Sequence, residues 1–222
     1  MIVAIDGPAG SGKSTVARAL AQRLRMHYLD TGAMYRAVAH VALSRGLALG
    51  DENAVATIAE RADIRFEHEG DSPLATRVLA NGVDVTLAIR TPATDAAVSA
   101  VARMLRVREA MVSRQREIAA GQDIIAEGRD IGSVVFPDAA VKVYLTASED
   151  ERAGRRHLEL VDRGATIARE DVHQGIAARD TADTGRTASP LTVAEDATVI
   201  DTTGMSVDDV VELIAALVEA RS

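Results

Sequence analysis

The chain has 222 residues, of which 47% are hydrophobic and 26% charged, a length and balance suited to one globular domain with a sizeable core. No apolar run approaches the roughly 18 residues that a membrane-spanning helix needs. A net charge of −8 from 33 acids and 25 bases argues against coating a nucleic acid by general phosphate neutralisation. The lack of cysteine removes disulfide scaffolds, thiolate zinc sites and cysteine nucleophiles.

In chain order, Ile2 to Ile5 read as a short buried strand. No basic n-region or apolar signal core precedes it, so a cytoplasmic location is expected. A glycine-rich turn follows directly, and residues 15–25 then carry apolar side chains at helical spacing. Between 63 and 89 the texture becomes alternating. Asn81-Gly82 sits before Val83-Asp-Val85, the signature of a type I′ hairpin, and a small antiparallel insert is expected there. Residues 101–120 read as a helix. Short apolar runs at 123–126, 141–145 and 198–200 read as further strands, and 207–220 as a closing helix. Strands without alternation, spaced by helices, indicate an α/β fold with a parallel sheet covered on both faces. The stretch 148–186 is dense in charge and poor in strand formers, and it reads as a mobile helical lid.

Gly7-Pro8-Ala9-Gly10-Ser11-Gly12-Lys13-Ser14 matches G-x-x-x-x-G-K-[ST]. Small residues let consecutive backbone N–H groups converge on phosphate oxygens, and the following helix N-terminus adds partial positive charge. Lys13 then reaches the β/γ-phosphates and Ser14 ligates Mg²⁺. Gly7 through Ser14, with Thr15, are therefore the expected ATP-binding residues. Lysine stands at the key position in a chain whose 25 bases include only one other lysine, Lys142.

A GTPase switch would read guanine through Asn-Lys-x-Asp, but the only asparagines, Asn53 and Asn81, do not precede lysine. Asp201-Thr-Thr-Gly204 imitates a switch element, yet it follows the last expected strand. The Ser-Gly-Gly-Gln signature of transport ATPases is absent. A phosphotransfer enzyme remains, either a nucleotide kinase or a kinase for another small acceptor; a nucleotide-dependent binding module is the non-enzymatic alternative.

Asp30-Thr-Gly-Ala-Met-Tyr-Arg36, Glu127-Gly-Arg-Asp-Ile-Gly132, Val134-Val-Phe-Pro-Asp138 and Arg179-Asp-x-x-Asp183-x-x-Arg186 occur in series. With the P-loop they make the chain closely resemble the bacterial cytidylate kinases over nearly its whole length. The resemblance implies a three-layer P-loop fold with a five-stranded parallel sheet of order 2-3-1-4-5, a nucleoside-monophosphate-binding insert at 63–89 and a lid at 148–186. It implies transfer of the γ-phosphoryl of ATP·Mg²⁺ to CMP or dCMP by a monomer that uses neither nucleic acid nor membrane. By the same resemblance, Thr31, Arg108 and Asp130 contact the base, Ser99, Arg179 and Asp183 the sugar, and Arg36, Arg129 and Arg186 the phosphate. Lys13, Arg129 and Arg186 would be catalytic.

The base assignment also follows from chemistry. Cytosine presents an amine donor beside two acceptors, so a selecting site needs a carboxylate next to a donor, and Asp130 with Arg108 supplies both. Asp130 directly follows a buried strand, where ligand sites of α/β proteins lie. Arg114 and Arg116 read instead as the solvated side of a helix. Ala182 and Thr184 stand where some members of the family carry arginine, so lid charge beside the transferred phosphoryl would come from Arg155, Arg156 or Arg186. The five histidines share no metal-ligand spacing.

Overall fold

A computed structural model describes every residue except 163, 187, 188 and 222. β-Branched runs form the centre of the main sheet. β1 (Ile2–Asp6) pairs in parallel with β6 (Ile124–Gly128) on one side and β7 (Val141–Thr146) on the other. β2 (His27–Asp30) lies outside β6, and β8 (Thr198–Asp201) outside β7. The order is β2-β6-β1-β7-β8. Because β3 to β5 belong to a separate sheet, the five strands counted within this sheet alone run 2-3-1-4-5. β2 is the strand that the apolar runs do not disclose; it has four residues, and its first, His27, is exposed.

Helices cover both faces. α1 (Lys13–Leu24) and α8 (Val207–Glu219) bury Val16, Leu20, Val211 and Ile214 against Val3, Ile5, Ile125 and Leu145. On the opposite face α2 (Thr31–Ser44), α3 (Glu52–Arg61), α4 (Pro92–Val101) and α5 (Leu105–Ala119) gather around Ala4, Leu29, Ile124 and Ala126. The helix expected over 101–120 begins later, at Leu105. Residues 102–104 form a joint between α4 and α5, and the guanidinium of Arg108 takes up the Ala102 carbonyl there at 3.2 Å.

The alternating stretch forms β3 (Ile64–His68), β4 (Ala75–Ala80) and β5 (Val83–Asp84), an antiparallel sheet of its own. Asn81 and Gly82 both take positive φ, 53° and 78°, as a type I′ turn requires. Its buried side chains, Ile64, Val78, Ala80 and Val85, join the core of α2 to α5, so the insert has no separate core. The charged stretch is two helices, α6 (Glu149–Asp162) and α7 (Arg169–Thr184), packed on a small cluster of Ala153, Val172 and Ile176. Among the described residues no helix is long and apolar enough to cross a membrane.

Candidate active site

All five parallel strands point their C-terminal ends at one cleft of about 590 Å³, the place where α/β folds hold ligands. The loop between β1 and α1 forms one wall. Its glycines are there because backbone approaches backbone: a Cβ on Gly7 would stand 2.1 Å from the Leu145 carbonyl oxygen, and one on Gly10 would stand 2.6 Å from that of Arg152. Residues 9–15 line the cleft, whereas Gly7 and Pro8 lie beneath it. Lys13 is buried, and its Nζ donates to the Pro8 carbonyl at 2.6 Å and to Ser11 Oγ at 3.3 Å. Burial and the neighbouring Arg129 guanidinium hold the Lys13 ammonium well below its ordinary range.

The remaining walls bring together every side chain expected to contact the acceptor nucleotide. Thr31, Arg36, Ser99, Arg108, Arg129, Asp130, Arg179, Asp183 and Arg186 all line the cleft. At its floor Arg108 and Asp130 form an ion pair with side chains only 4% and 6% exposed. Arg108 also lies over the Tyr35 ring, 5.6 Å from its centroid, within reach of a cation–π attraction. Thr31 Oγ donates to the Glu127 carbonyl at 2.6 Å, leaving its lone pairs as acceptors.

Asp183, at 1% exposure, accepts from Arg129 Nε at 2.8 Å and pairs with Arg186 through its other oxygen. Burial alone would raise its pKa, but Arg129 and Arg186 outweigh that and hold the carboxyl below its usual range. Arg179 lies beside these cations with a buried Nε that lacks a partner among the described residues. Burial, Arg129 and Arg36 lower its pKa to about 10, so it remains charged at neutral pH. Arg36 donates from Nε to Asp95 at 3.1 Å, and the second Asp95 oxygen accepts from Arg156 at 3.3 Å.

Among the described residues that line it, Lys13 and nine arginines face five carboxylates, Asp30, Glu127, Asp130, Glu159 and Asp183. A chain with an overall excess of acid thus concentrates cations where a polyanion would sit. Of the three arginines expected to supply lid charge, Arg155 is tied to Thr202 Oγ at 2.9 Å and to the Thr202 carbonyl at 2.8 Å, Arg156 to Asp95, and Arg186 to Asp183. Arg114 and Arg116 lie outside the cleft. Arg116 does more than face solvent, since it donates to the Val134 and Val135 carbonyls, both at 2.9 Å.

Several participants carried no sequence signal. Arg90, on a one-turn 3₁₀ segment (Ala88–Arg90) at the end of the insert, enters the cleft and donates to Asp30 Oδ2 at 3.2 Å. Asp30 uses its other oxygen to cap α2 through the Ala33 N–H. Arg152 ties α6 to the P-loop by donating to the Ala9 carbonyl at 3.1 Å, and it pairs with Asp180 of α7. A second concavity of about 710 Å³ contains Met1, Asp123 and Pro137. Arg116 also lines it, and it lies at the N-terminal ends of β1 and β6, apart from the cleft.

The family profile for cytidylate kinases matches residues 3–220. The cytidylate kinase of Shouchella clausii (strain KSM-K16) is 48% identical over 220 residues, covering 99% of this chain and 96% of that protein. That of Carboxydothermus hydrogenoformans is 47% identical over 222 residues, covering 100% and 99%. A solved structure of an uncharacterized protein from Eubacterium ventriosum superposes with a TM-score of 0.55 at 12% identity, covering 100% of this chain and 99% of that one; it speaks for the fold alone.

Proposed function

The chain belongs to the cytidylate kinase family, a family of nucleoside monophosphate kinases, and from that membership and the cleft we propose that it transfers the γ-phosphoryl of ATP to CMP and dCMP. Its products would be CDP or dCDP and ADP, a step of pyrimidine nucleotide metabolism, and the same reading takes the enzyme to be a cytoplasmic monomer.

The observation that carries the base assignment is the buried Arg108–Asp130 pair. A carboxylate accepts from the cytosine amine while the guanidinium donates to O2 or N3. Uracil would set an acceptor against the carboxylate and leave buried groups unpaired, a mismatch worth about a hundredfold or more in kcat/KM. Thr31 completes the base contacts. Arg36, Arg129 and Arg186 hold the acceptor phosphate, and Ser99, Arg179 and Asp183 face the sugar, with Asp183 joining the two groups through its arginines.

The acceptor phosphate is already a nucleophile at neutral pH, so no covalent intermediate is needed. The protein contributes in-line alignment, charge neutralisation and exclusion of water. Lys13 draws the β/γ-phosphates into the P-loop, whose close packing on the Leu145 and Arg152 carbonyls a Cβ on Gly7 or Gly10 would break. Ser14, exposed at the mouth of the loop, fits a ligand of Mg²⁺, which when bound supplies charge neutralisation between phosphates. The insert 63–89 holds the acceptor side. The lid 148–186, fastened to the P-loop by Arg152, closes over the reacting phosphates and keeps water from competing.

ADP release measured with ATP·Mg²⁺ and a panel of nucleoside monophosphates tests this reading. Turnover with CMP and dCMP, a strong preference over UMP, and none with AMP or GMP is the expected pattern. Turnover led by UMP or a purine nucleotide would overturn it.

A further inference from the structure

The backbone immediately after Asp130 is a five-residue π-turn, Ile131–Val135. Its first two amides do not bond within the turn. The N–H of Ile131 donates to Asp6 Oδ1 and that of Gly132 to Asp6 Oδ2, both at 2.7 Å. Asp6 is the last residue of the central strand and is 5% exposed, and its two oxygens span consecutive amides in the manner of a helix N-cap. The Asp130 carbonyl in turn accepts from the Val134 and Val135 amides, at 2.9 and 3.1 Å. A Cβ on Gly132 would press on the Lys142 side chain at 3.2 Å and only touch Asp6 Oδ2 at 3.4 Å.

We propose that Asp6 is the positioning residue for base selection, in that its bidentate hold on the Ile131 and Gly132 amides sets where the Asp130 carboxylate stands opposite Arg108. This rests on the reading of Asp130 as the base acceptor. Asp6 acts through the turn, with both oxygens committed to backbone. A displacement on the order of 1 Å in such a turn can cost about a hundredfold in rate, and here the cost falls on discrimination.

Asp6→Asn keeps the shape but offers one acceptor to two amides, and its NH₂ opposes the second N–H. The CMP to UMP ratio of kcat/KM should narrow by about tenfold, with KM for ATP changed by less than about threefold. Asp130→Asn and the double variant complete a cycle. If Asp6 works through Asp130, the double variant should discriminate no worse than Asp130→Asn alone.

Wild-type enzyme provides a second test. Burial lifts the Asp6 carboxyl to about 6, against the opposing pull of the two amides. Lys13 from α1, Asp130 from the turn and Tyr144 from β7 are the ionisable groups that face it. Protonation removes one acceptor, so the ratio should fall as pH is lowered from 7.5 to 5.5 and stay flat in Asp6→Asn. Substrate phosphate ionisation is common to CMP and UMP and cancels in the ratio.

A folded Asp6→Asn with an unchanged ratio, or one whose loss lies in KM for ATP, overturns the proposal. If that variant does not fold, a wild-type ratio that is flat across the pH range overturns it. An unchanged ratio in Asp130→Asn instead overturns the base reading itself.

Discussion

Asp183→Asn removes one negative charge from the most cation-rich part of the cleft while keeping its shape. The wild-type carboxylate is 1% exposed and neutralises Arg129 and Arg186, whose side chains are 19% and 6% exposed, with Arg179 close by. Removing one partner from a buried pair typically costs about 3–5 kcal/mol, because the cations left behind remain desolvated. At about 2–4 °C per kcal/mol for a chain of this size, Tm should fall by roughly 10 °C. Inorganic phosphate can take the place of the lost carboxylate between the arginines, so it should raise Tm more in Asp183→Asn than in wild type, with chloride at equal ionic strength as the control. The pH dependence has a definite sign. Asp183 is held below its ordinary pKa, so its stabilisation is present above the carboxylate range and is lost as pH falls through the lowered value. The gap between the proteins should therefore close in acid. Thermal denaturation of both proteins across a pH series, with and without phosphate, measures all three. A Tm within about 2 °C of wild type, or equal phosphate shifts, would refute the argument that Asp183 serves as the counter-ion of Arg129 and Arg186.

Three further outcomes are expected. On the proposed role, in which its charge acts on the transferred phosphoryl, Lys13→Ala should lower kcat by more than about a hundredfold, while Tm is unchanged or raised because a buried cation held below its ordinary pKa has been removed; activity above a tenth of wild type counts against the role. Gly7→Ala should lose the fold or most of its stability, because φ is 150° and the new methyl meets the Leu145 carbonyl; a normal Tm would show that the loop can shift. Asp6 contributes to stability in the opposite sense from Asp183: its raised pKa of about 6 favours the fold in acid and the benefit is lost as pH rises through that value. Chemical denaturation should therefore show the penalty of Asp6→Asn shrinking by about 1–2 kcal/mol between pH 5 and 7.

What could be read from the sequence was whatever is dictated by backbone geometry or by one ligand group at fixed spacing. The P-loop is legible because phosphate contact demands small residues and a lysine at set intervals. Asn81-Gly82 is legible because two successive positive φ values leave few choices of residue. The α4–α5 joint was not legible, since Ala102-Arg103-Met104 contains neither glycine nor proline; the contact that marks it, from Arg108 on the next helix to the Ala102 carbonyl, is a tertiary one. β2 escaped notice because it has only four residues and a polar first position. Arg90, Asp95, Arg152 and Asp6 were missed for one reason. Each acts through a partner far away in the chain, and no periodicity reports such pairs.

The near-exclusive use of arginine acquires a physical reason in the cleft. A guanidinium offers five donors in a planar fork, so one edge can be held by a carboxylate while the other stays available for phosphate. Asp95 spaces Arg36 from Arg156 in this way, and Asp183 spaces Arg129 from Arg186. Lysine could not serve there, because a single ammonium committed to a buried carboxylate has little left to orient a second anion. The P-loop sets the reverse requirement. Its lysine lies 2.6 Å from the Pro8 carbonyl, beneath a loop narrow enough to need glycine at two close approaches, where a compact point charge fits and a guanidinium plane does not. The exception at position 13 and the rule elsewhere in the cleft therefore have one cause: each cation is matched to the space and to the counter-ion that hold it before phosphate arrives.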